Sequence, residues 1–344
     1  MNRYETARIT DWLASAFAGL GLTPEDAALG ARVLVRTNAR GVETHGIARA
    51  LVYGQKLKSG ELKARPSVRM EERDGVLHCH ADSGLGQVVG TQAIREAVAR
   101  AGHRGFVPMI IHDVGHLAAL GMFALEAAEN GMLGFVTQST PPLMALEGSK
   151  GAAIGNNPLA FASPVPGGPP MVFDIAASGV ARGNVLAAAR EKKPIPLGWA
   201  IDAEGNPTTD AQAALAGAML PMAGHKGIGL AMMVQCLAGS LSGALPASVT
   251  SGAAPGSAPA RVGAFAFVAN PDRIAGRAEY ESHMAGWLAA YRKASGAQGR
   301  YPGERASKLE AERMSQGIPL PDAVVKELGS LGELAGAPFT LKPV

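Results

Sequence analysis

From about residue 68 to residue 270 the sequence breaks into short apolar runs set apart by Gly, Pro and Asp: GVLHCHAD, GFVPMIIHD, GMLGFVTQS, NPLAFASPV, PMVFDIA and VGAFAFVAN. Short runs rich in β-branched and aromatic residues between turn formers read as strands, and this many of them demand a substantial sheet. Helical spacing appears between some of them, at 87–102, 118–130 and 226–241. Outside this middle the chain reads as helix. Residues 3–19 carry apolar side chains at helical intervals, and LTPEDAALGARVLVRTNARG adds Thr23 as N-cap, Pro24 behind it and acids in the first turn. A third helix is expected to begin around Thr44 and His45 and to stop at Gly60. The tail returns to helix in ERASKLEAERMSQG and PDAVVKELGSLGELAG. The expected fold class is therefore α/β (α+β), with a helical part at 1–67, a β-rich part at 68–274 and a helical part at 275–344 that packs with the first.

Composition narrows the class of function. The 344 residues are 47% hydrophobic, enough for a sizeable core. A charged fraction of 18%, a net charge of +3 and 5% aromatics leave neither a basic face nor stacking platforms for nucleic acid. Cys79 and Cys236 stand far apart, and MNRYETARITDWL opens with charges where a signal peptide has an apolar core, so a reducing cytoplasm is expected. The uncharged run Gly227–Ala260 begins as GIGLAMMVQCLAGSLSGAL, whose Gln, Ser and Gly suit a buried helix better than a membrane span. Its end, 244–260, reads as a surface loop.

Several stretches bear chemistry. In GLGQVVG, Gly84, Gly86 and Gly90 precede a helix, but the spacing GxGxxxG is not the dinucleotide fingerprint. HCH sets His78 and His80 on one strand face, and without further ligands it makes no metal site; none is expected elsewhere. PMAGHKG places His225 and Lys226 at the start of an uncharged helix, where free N–H groups favour an anion. Asp174 ends the strand of PMVFDIAAS before small residues that allow a ligand close. RGVETHGIAR gathers Thr44, His45 and Arg49, a hydroxyl, a proton carrier and a carboxylate fork. HDVGHLAALG holds His112 and His116 four residues apart, with His112 at a strand end and His116 entering the pocket.

Taken in order, THG, GNNP, FDIAAS, GWAIDAEGNPTTD, PMAGHKG and YPGER are more specific than any one alone. The chain resembles the malate/L-lactate dehydrogenase family that lacks a Rossmann fold, which includes ureidoglycolate dehydrogenase, diketogulonate reductase, sulfolactate dehydrogenase and the Δ1-piperideine-2-carboxylate and Δ1-pyrroline-2-carboxylate reductases. The resemblance implies a non-Rossmann nicotinamide-binding fold with a mixed or antiparallel central sheet, in which 68–274 binds the cofactor and carries the catalytic residues, and a homodimer. It implies His45 as proton donor beside Thr44, with Asp174 as its charge partner and His116 in the pocket. Arg49 would meet the substrate carboxylate, and Asn157 would also contact substrate. Cofactor contacts would fall on Ser139, on Asp174, Ile175, Ala176 and Ser178, on His225 and Lys226, and on Gly303, Glu304 and Arg305.

The chain also departs from the family pattern. Thr44 replaces a serine, Asn156 replaces the threonine of Gly-Thr-Asn-Pro, and only His116 survives from Asn-Ser-x-His-Phe-Gly. Ala118-Ala119-Leu120 and HKG resemble the ketimine reductase branch. The expected activity is hydride transfer from NADPH or NADH, NADPH favoured, to the carbon next to a carboxylate in a cyclic ketimine or related 2-oxo acid. The alternatives are an L-malate, L-lactate or other 2-hydroxy-acid dehydrogenase, and a non-catalytic carboxylate- or nucleotide-binding protein. Neither membrane nor nucleic acid is an expected partner.

Overall fold

The computed structural model describes residues 1–244 and 262–344, so the loop expected at 244–260 lies, Ala244 apart, outside the described residues. All six apolar runs form strands: Val76–His80, Phe106–His112, Leu133–Gln138, Leu159–Ser163, Met171–Ile175 and Ala264–Ala269. With Arg69–Arg73 they build one seven-stranded sheet, ordered 69–73, 76–80, 106–112, 264–269, 133–138, 159–163, 171–175. Only Val76–His80 and Phe106–His112 run parallel; the other pairs are antiparallel. The mixed, largely antiparallel sheet is the one expected, and it differs from an all-parallel dinucleotide fold.

One face of the sheet is sealed by helices Gly86–Arg104 and Gly121–Glu129, whose Val89, Ile94, Phe123 and Ala124 pack, with Leu117 from the segment between them, on Leu77, Met109, Ile111 and Val136. Each such fully buried side chain contributes about 1.5–3 kcal/mol. The opposite face is covered in part by helix His225–Val234 and the π turn Gln235–Ser240 that continues it, through Val234 and Ala238. That helix is not the buried one expected. Met232, Met233 and Leu241 are 56%, 40% and 59% exposed, because only its Ala231, Val234 and Ala238 side meets protein. Among the described residues no helix is long and apolar enough to cross a membrane.

The two ends of the chain share a core. Ile9, Leu13 and Phe17 of helix Thr6–Gly19 and Leu34 of helix Pro24–Ala39 pack with Leu328 and Leu331 of helix Asp322–Ala335. A short antiparallel ladder joins Asn2–Tyr4 to Ile318–Leu320. Thr23 caps its helix by accepting Asp26 N–H, as its place before Pro24 requires. Helix Arg277–Ser295 stands outside this core and buries only Leu288.

The third helix starts later than expected. Glu43–His45 and Ile47–Arg49 form two 3-10 turns, and the α-helix runs Ala50–Ser59, closed by Gly60 in the left-handed region. The helix expected at 118–130 likewise begins only at Gly121. His45 and His116 therefore both sit on irregular backbone just ahead of a helix.

Candidate active site

The His45 turn is held by its neighbours. A Cβ on Gly46 would lie 2.8–3.0 Å from the Asn38 Cβ, N and Cα atoms, so the turn presses on helix Pro24–Ala39 as only glycine permits. Arg313, from the helix Glu304–Gln316, donates to Asn38 O at 2.6 Å and to Glu43 Oε1 at 2.7 Å, fastening the turn from the far end of the chain. Thr44 Oγ1 lies 3.0 Å from His45 Nδ1, and Arg49 Nε donates to Thr44 O at 2.8 Å, which leaves the terminal nitrogens of the guanidinium uncommitted.

His116 comes from the other side. The GLGQVVG stretch does lie between parallel strands, at the start of helix Gly86–Arg104, but it cradles no phosphate. A Cβ on Gly86 would meet His116 O at 2.6 Å and Gly115 O at 2.7 Å, and one on Gly90 would meet Leu117 and Phe123 at 2.8 Å. The close packing that these glycines allow sets the segment carrying His116 on the helix. Gln87 Nε2 donates to His116 O and Leu117 O, both at 3.1 Å, and Gln138 accepts from Leu117 N and donates to Gly115 O. Tyr53 Oη lies 2.8 Å from His116 Nδ1, and the His45 and His116 rings are 6.0 Å apart.

Electrostatics set both imidazoles neutral. Burial, then the charge of Arg49, brings His45 down to about 4. Burial, helped by His45 and Arg49, brings His116 down to about 3. His116 is ringed by protein yet open to solvent, the condition of a cleft wall.

Asp174 is in the same condition, and its burial raises it to about 6 while its bond to Gly121 pulls the other way. Here the sequence reading needs correction. Asp174 Oδ2 accepts Gly121 N–H at 2.7 Å at the start of helix Gly121–Glu129, and His45 has Arg49, not Asp174, as its charged neighbour. The carboxylate anchors the far end of the His116 segment.

Asn157 is fully buried; its Oδ1 accepts Thr140 N–H and its Nδ2 donates to Ala231 O, so its side chain braces Thr140 against helix His225–Val234 and has no exposed surface to meet a substrate. The Glu304 carboxylate is likewise engaged, by Tyr301 N and Arg292, and Ser178 Oγ donates to Val180 O. Both still carry acceptor lone pairs beyond these bonds. Ser139 is buried, and its hydroxyl bonds Gly263 O at 3.3 Å.

The remaining residues of the expected cofactor set flank one strand. Ala177 O receives Met222 N–H and Ser178 bridges Pro221, which brings the His225–Lys226 helix start against the strand's end. Val172 N donates to Pro302 O at 3.0 Å, which sets Gly303 and Arg305 beside the strand's beginning. Val172 to Ala177 spans roughly 16 Å at about 3.3 Å per residue, room for an extended dinucleotide. Among the described residues neither Lys226 nor Arg305 has a carboxylate within 4.0 Å. Ile175 and Ala176 lie half-buried between the two turns. Two cations without a carboxylate partner among the described residues and a helix N-terminus, set at the two ends of one strand, fit a phosphate-bearing cofactor.

His78 and His112 take no part in this cleft. His78 Nδ1 is 2.9 Å from His112 Nε2, and His112 Nδ1 donates to Ser242 O. Among the described residues no group of three or more His, Cys, Asp or Glu side chains converges to hold a metal ion.

Sequence reading missed Tyr53 and Gln87. Both are almost fully buried and both touch His116 or its backbone. The one signal was Gln87 itself, an uncharged polar residue beside Val88 and Val89 on a helix face that reads as core.

Comparison with known proteins gives the family. The family model described as malate/L-lactate dehydrogenase matches residues 4–329. The chain belongs to that family. Among the relatives of this family member, a (2R)-3-sulfolactate dehydrogenase (NADP(+)) from Chromohalobacter salexigens is 34% identical over 95% of this chain and 98% of its own. A Δ1-pyrroline-2-carboxylate/Δ1-piperideine-2-carboxylate reductase from Pseudomonas aeruginosa is 35% identical over 84% of this chain and 87% of its own. The crystal structure of a Δ1-piperideine-2-carboxylate reductase from Pseudomonas syringae superposes with a TM-score of 0.85 at 29% identity, covering 97% of this chain and 100% of that one.

Proposed function

We propose that this family member is a cytoplasmic NAD(P)H-dependent reductase that delivers hydride to the carbon next to a carboxylate, with a cyclic ketimine such as Δ1-piperideine-2-carboxylate or Δ1-pyrroline-2-carboxylate as the preferred acceptor. The observation that carries this reading is a neutral His45 beside an Arg49 whose terminal nitrogens are uncommitted. Arg49 suits a carboxylate, which its planar fork grips at two oxygens and thereby orients. A neutral imidazole holds no proton to give at pH 7. A ketimine nitrogen is far more basic than a carbonyl oxygen and arrives with its own proton, so it asks of His45 only that it hold the N–H and exchange the proton afterwards. When bound, the nicotinamide supplies the hydride.

A 2-oxo acid is the second reading, favoured by the sulfolactate dehydrogenase relative. Its carboxylate would neutralise Arg49, lift His45 and so let the imidazole protonate in the complex. Lys226 and Arg305 support NADPH over NADH, since they can meet an additional phosphate. Thr44 keeps His45 oriented, and His116 faces the same substrate.

Initial rates of nicotinamide absorbance change test the reading, with both cofactors against the two cyclic ketimines, pyruvate and oxaloacetate. The ketimines with NADPH are expected to give the highest kcat/KM. A clear preference for either oxo acid contradicts the lead reading and favours the second.

The fold also presents apolar surface that a second copy would cover: Phe106 and Phe173 on the sheet, Met232 and Met233 on the helix behind it, and Trp287 and Tyr291 on helix Arg277–Ser295. These support a homodimer, which light scattering checks; a monomer at micromolar concentration contradicts it. The two free cysteines support a reducing compartment.

A further inference from the structure

The contacts around Tyr53 determine which nitrogen of His116 carries the proton. Gln87 Nε2 faces the carbonyl oxygens of His116 and Leu117, which can only accept. The opposite orientation of the amide would set its oxygen against both carbonyls, so the NH2 end must face them, and Oε1 is left buried without a partner among the described residues. The same nitrogen lies 3.3 Å from Tyr53 Oη; with two hydrogens among three oxygens it is a donor only and cannot accept the tyrosine's hydrogen. The tyrosine's own hydrogen must go to its other neighbour, His116 Nδ1, at 2.8 Å. Tyr53 is 2% exposed, and burial pushes its phenol up, so the O–H stays in place as a donor.

We infer that Gln87 and Tyr53 are positioning residues that fix His116 as a neutral imidazole with Nδ1 accepting and Nε2–H directed into the cleft as a hydrogen-bond donor. The imidazolium form would carry a proton on Nδ1 and turn the Tyr53 hydroxyl away, with no other acceptor in reach. This agrees with the downward shift of His116. His116 is then neither a proton source nor a base, and proton exchange remains with His45. Its Nε2–H seeks an oxygen lone pair of the substrate. A ketimine nitrogen that carries its own proton has none to offer, so in that case the donor falls on the carboxylate that Arg49 also holds. In a 2-oxo acid it can polarise the carbonyl directly.

The inference rests on the cleft between His45 and His116 being the substrate site, and Tyr53→Phe tests it, since this variant removes one oxygen and keeps the ring packing. Long-range 15N–1H spectra of 15N-histidine-labelled protein read the tautomer without substrate, the His116 signal being assigned by its loss in His116→Gln. The wild type is expected to show His116 protonated on Nε2 alone and neutral down to pH 5. In Tyr53→Phe the signal is expected to shift toward the Nδ1–H form and to titrate at higher pH. On a ketimine, whose carboxylate the donor meets, KM is expected to rise about tenfold with kcat changed little, whereas on a 2-oxo acid kcat is expected to fall about tenfold or more. A wild-type proton on Nδ1, an unchanged tautomer in Tyr53→Phe, or a changed tautomer with unchanged kcat/KM on both substrate classes would each overturn the inference. Because the spectra need no substrate, a wrong substrate class would show in the panel and leave the tautomer result standing.

Discussion

His45→Ala is expected to lower kcat/KM by about 10²–10⁴, the range that a positioned proton-transfer group supplies. That corresponds to about 3–5.5 kcal/mol of transition-state stabilisation at 1.36 kcal/mol per decade. The imidazole holds the substrate heteroatom's hydrogen and exchanges its proton, and among the described residues the other ionisable side chains of the Glu43–Arg49 turns, Glu43 and Arg49, are engaged by Arg313 and by Thr44 O. NADPH affinity is expected to stay within about twofold, because Lys226 and Arg305 lie on different elements and form no bond to His45. Steady-state rates and fluorescence titration of the cofactor check both halves. A variant with near-native turnover removes His45 from the chemistry.

Arg49→Leu is expected to raise KM about 100-fold for any carboxylate substrate, since losing a charged hydrogen-bonding partner costs about 2–4 kcal/mol. It should also move a pH profile in a definite direction. Burial first and the Arg49 charge second lower His45 to about 4. Removing the cation favours the protonated imidazole, so the pKa of His45 rises, though burial keeps it below the ordinary 6.5. In the oxidation direction the enzyme needs a neutral His45, and activity is lost as pH falls through its pKa. The wild type should hold its kcat/KM from pH 7 to 5, whereas Arg49→Leu should decline over that interval. A variant whose acid limb stays where the wild type's lies shows that Arg49 does not act on His45.

The six apolar strands were legible because each is a local run with turn residues at both ends, and His45, Arg49 and His116 were legible because ordered motifs carry them. Other parts depended on contacts that no local pattern encodes. Arg69–Arg73 is a charged edge strand with no apolar period, and its Glu72 is tied to Arg100 and Arg104 of the neighbouring helix. A further five-stranded sheet, ordered 207–208, 200–201, 218–219, 142–144, 154–155, uses strands of two or three residues, too short to show alternation. Helices Arg182–Arg190 and Ala211–Ala216 were not anticipated either, and Arg277–Ser295, within the part expected to be helical, was not singled out because it buries a single side chain and so has no clear apolar stripe. In the site, the partner of Asp174 is a backbone N–H, and a peptide group has no signature in the sequence. Tyr53, Gln87 and His116 come from three separate segments, and their relation exists only where helices Ala50–Ser59 and Gly86–Arg104 meet the loop before Gly121.

Hydride is expected to land on the carbon bearing the substrate carboxylate. NADPH deuterated at C4 of its nicotinamide, incubated with Δ1-piperideine-2-carboxylate and followed by mass spectrometry and NMR of the product, reads where it goes. One deuterium is expected at the α carbon of the cyclic amino acid, transferred from one face of the cofactor and retained in buffered water. Turnover that leaves the α carbon unlabelled, or labels another position, contradicts this expectation.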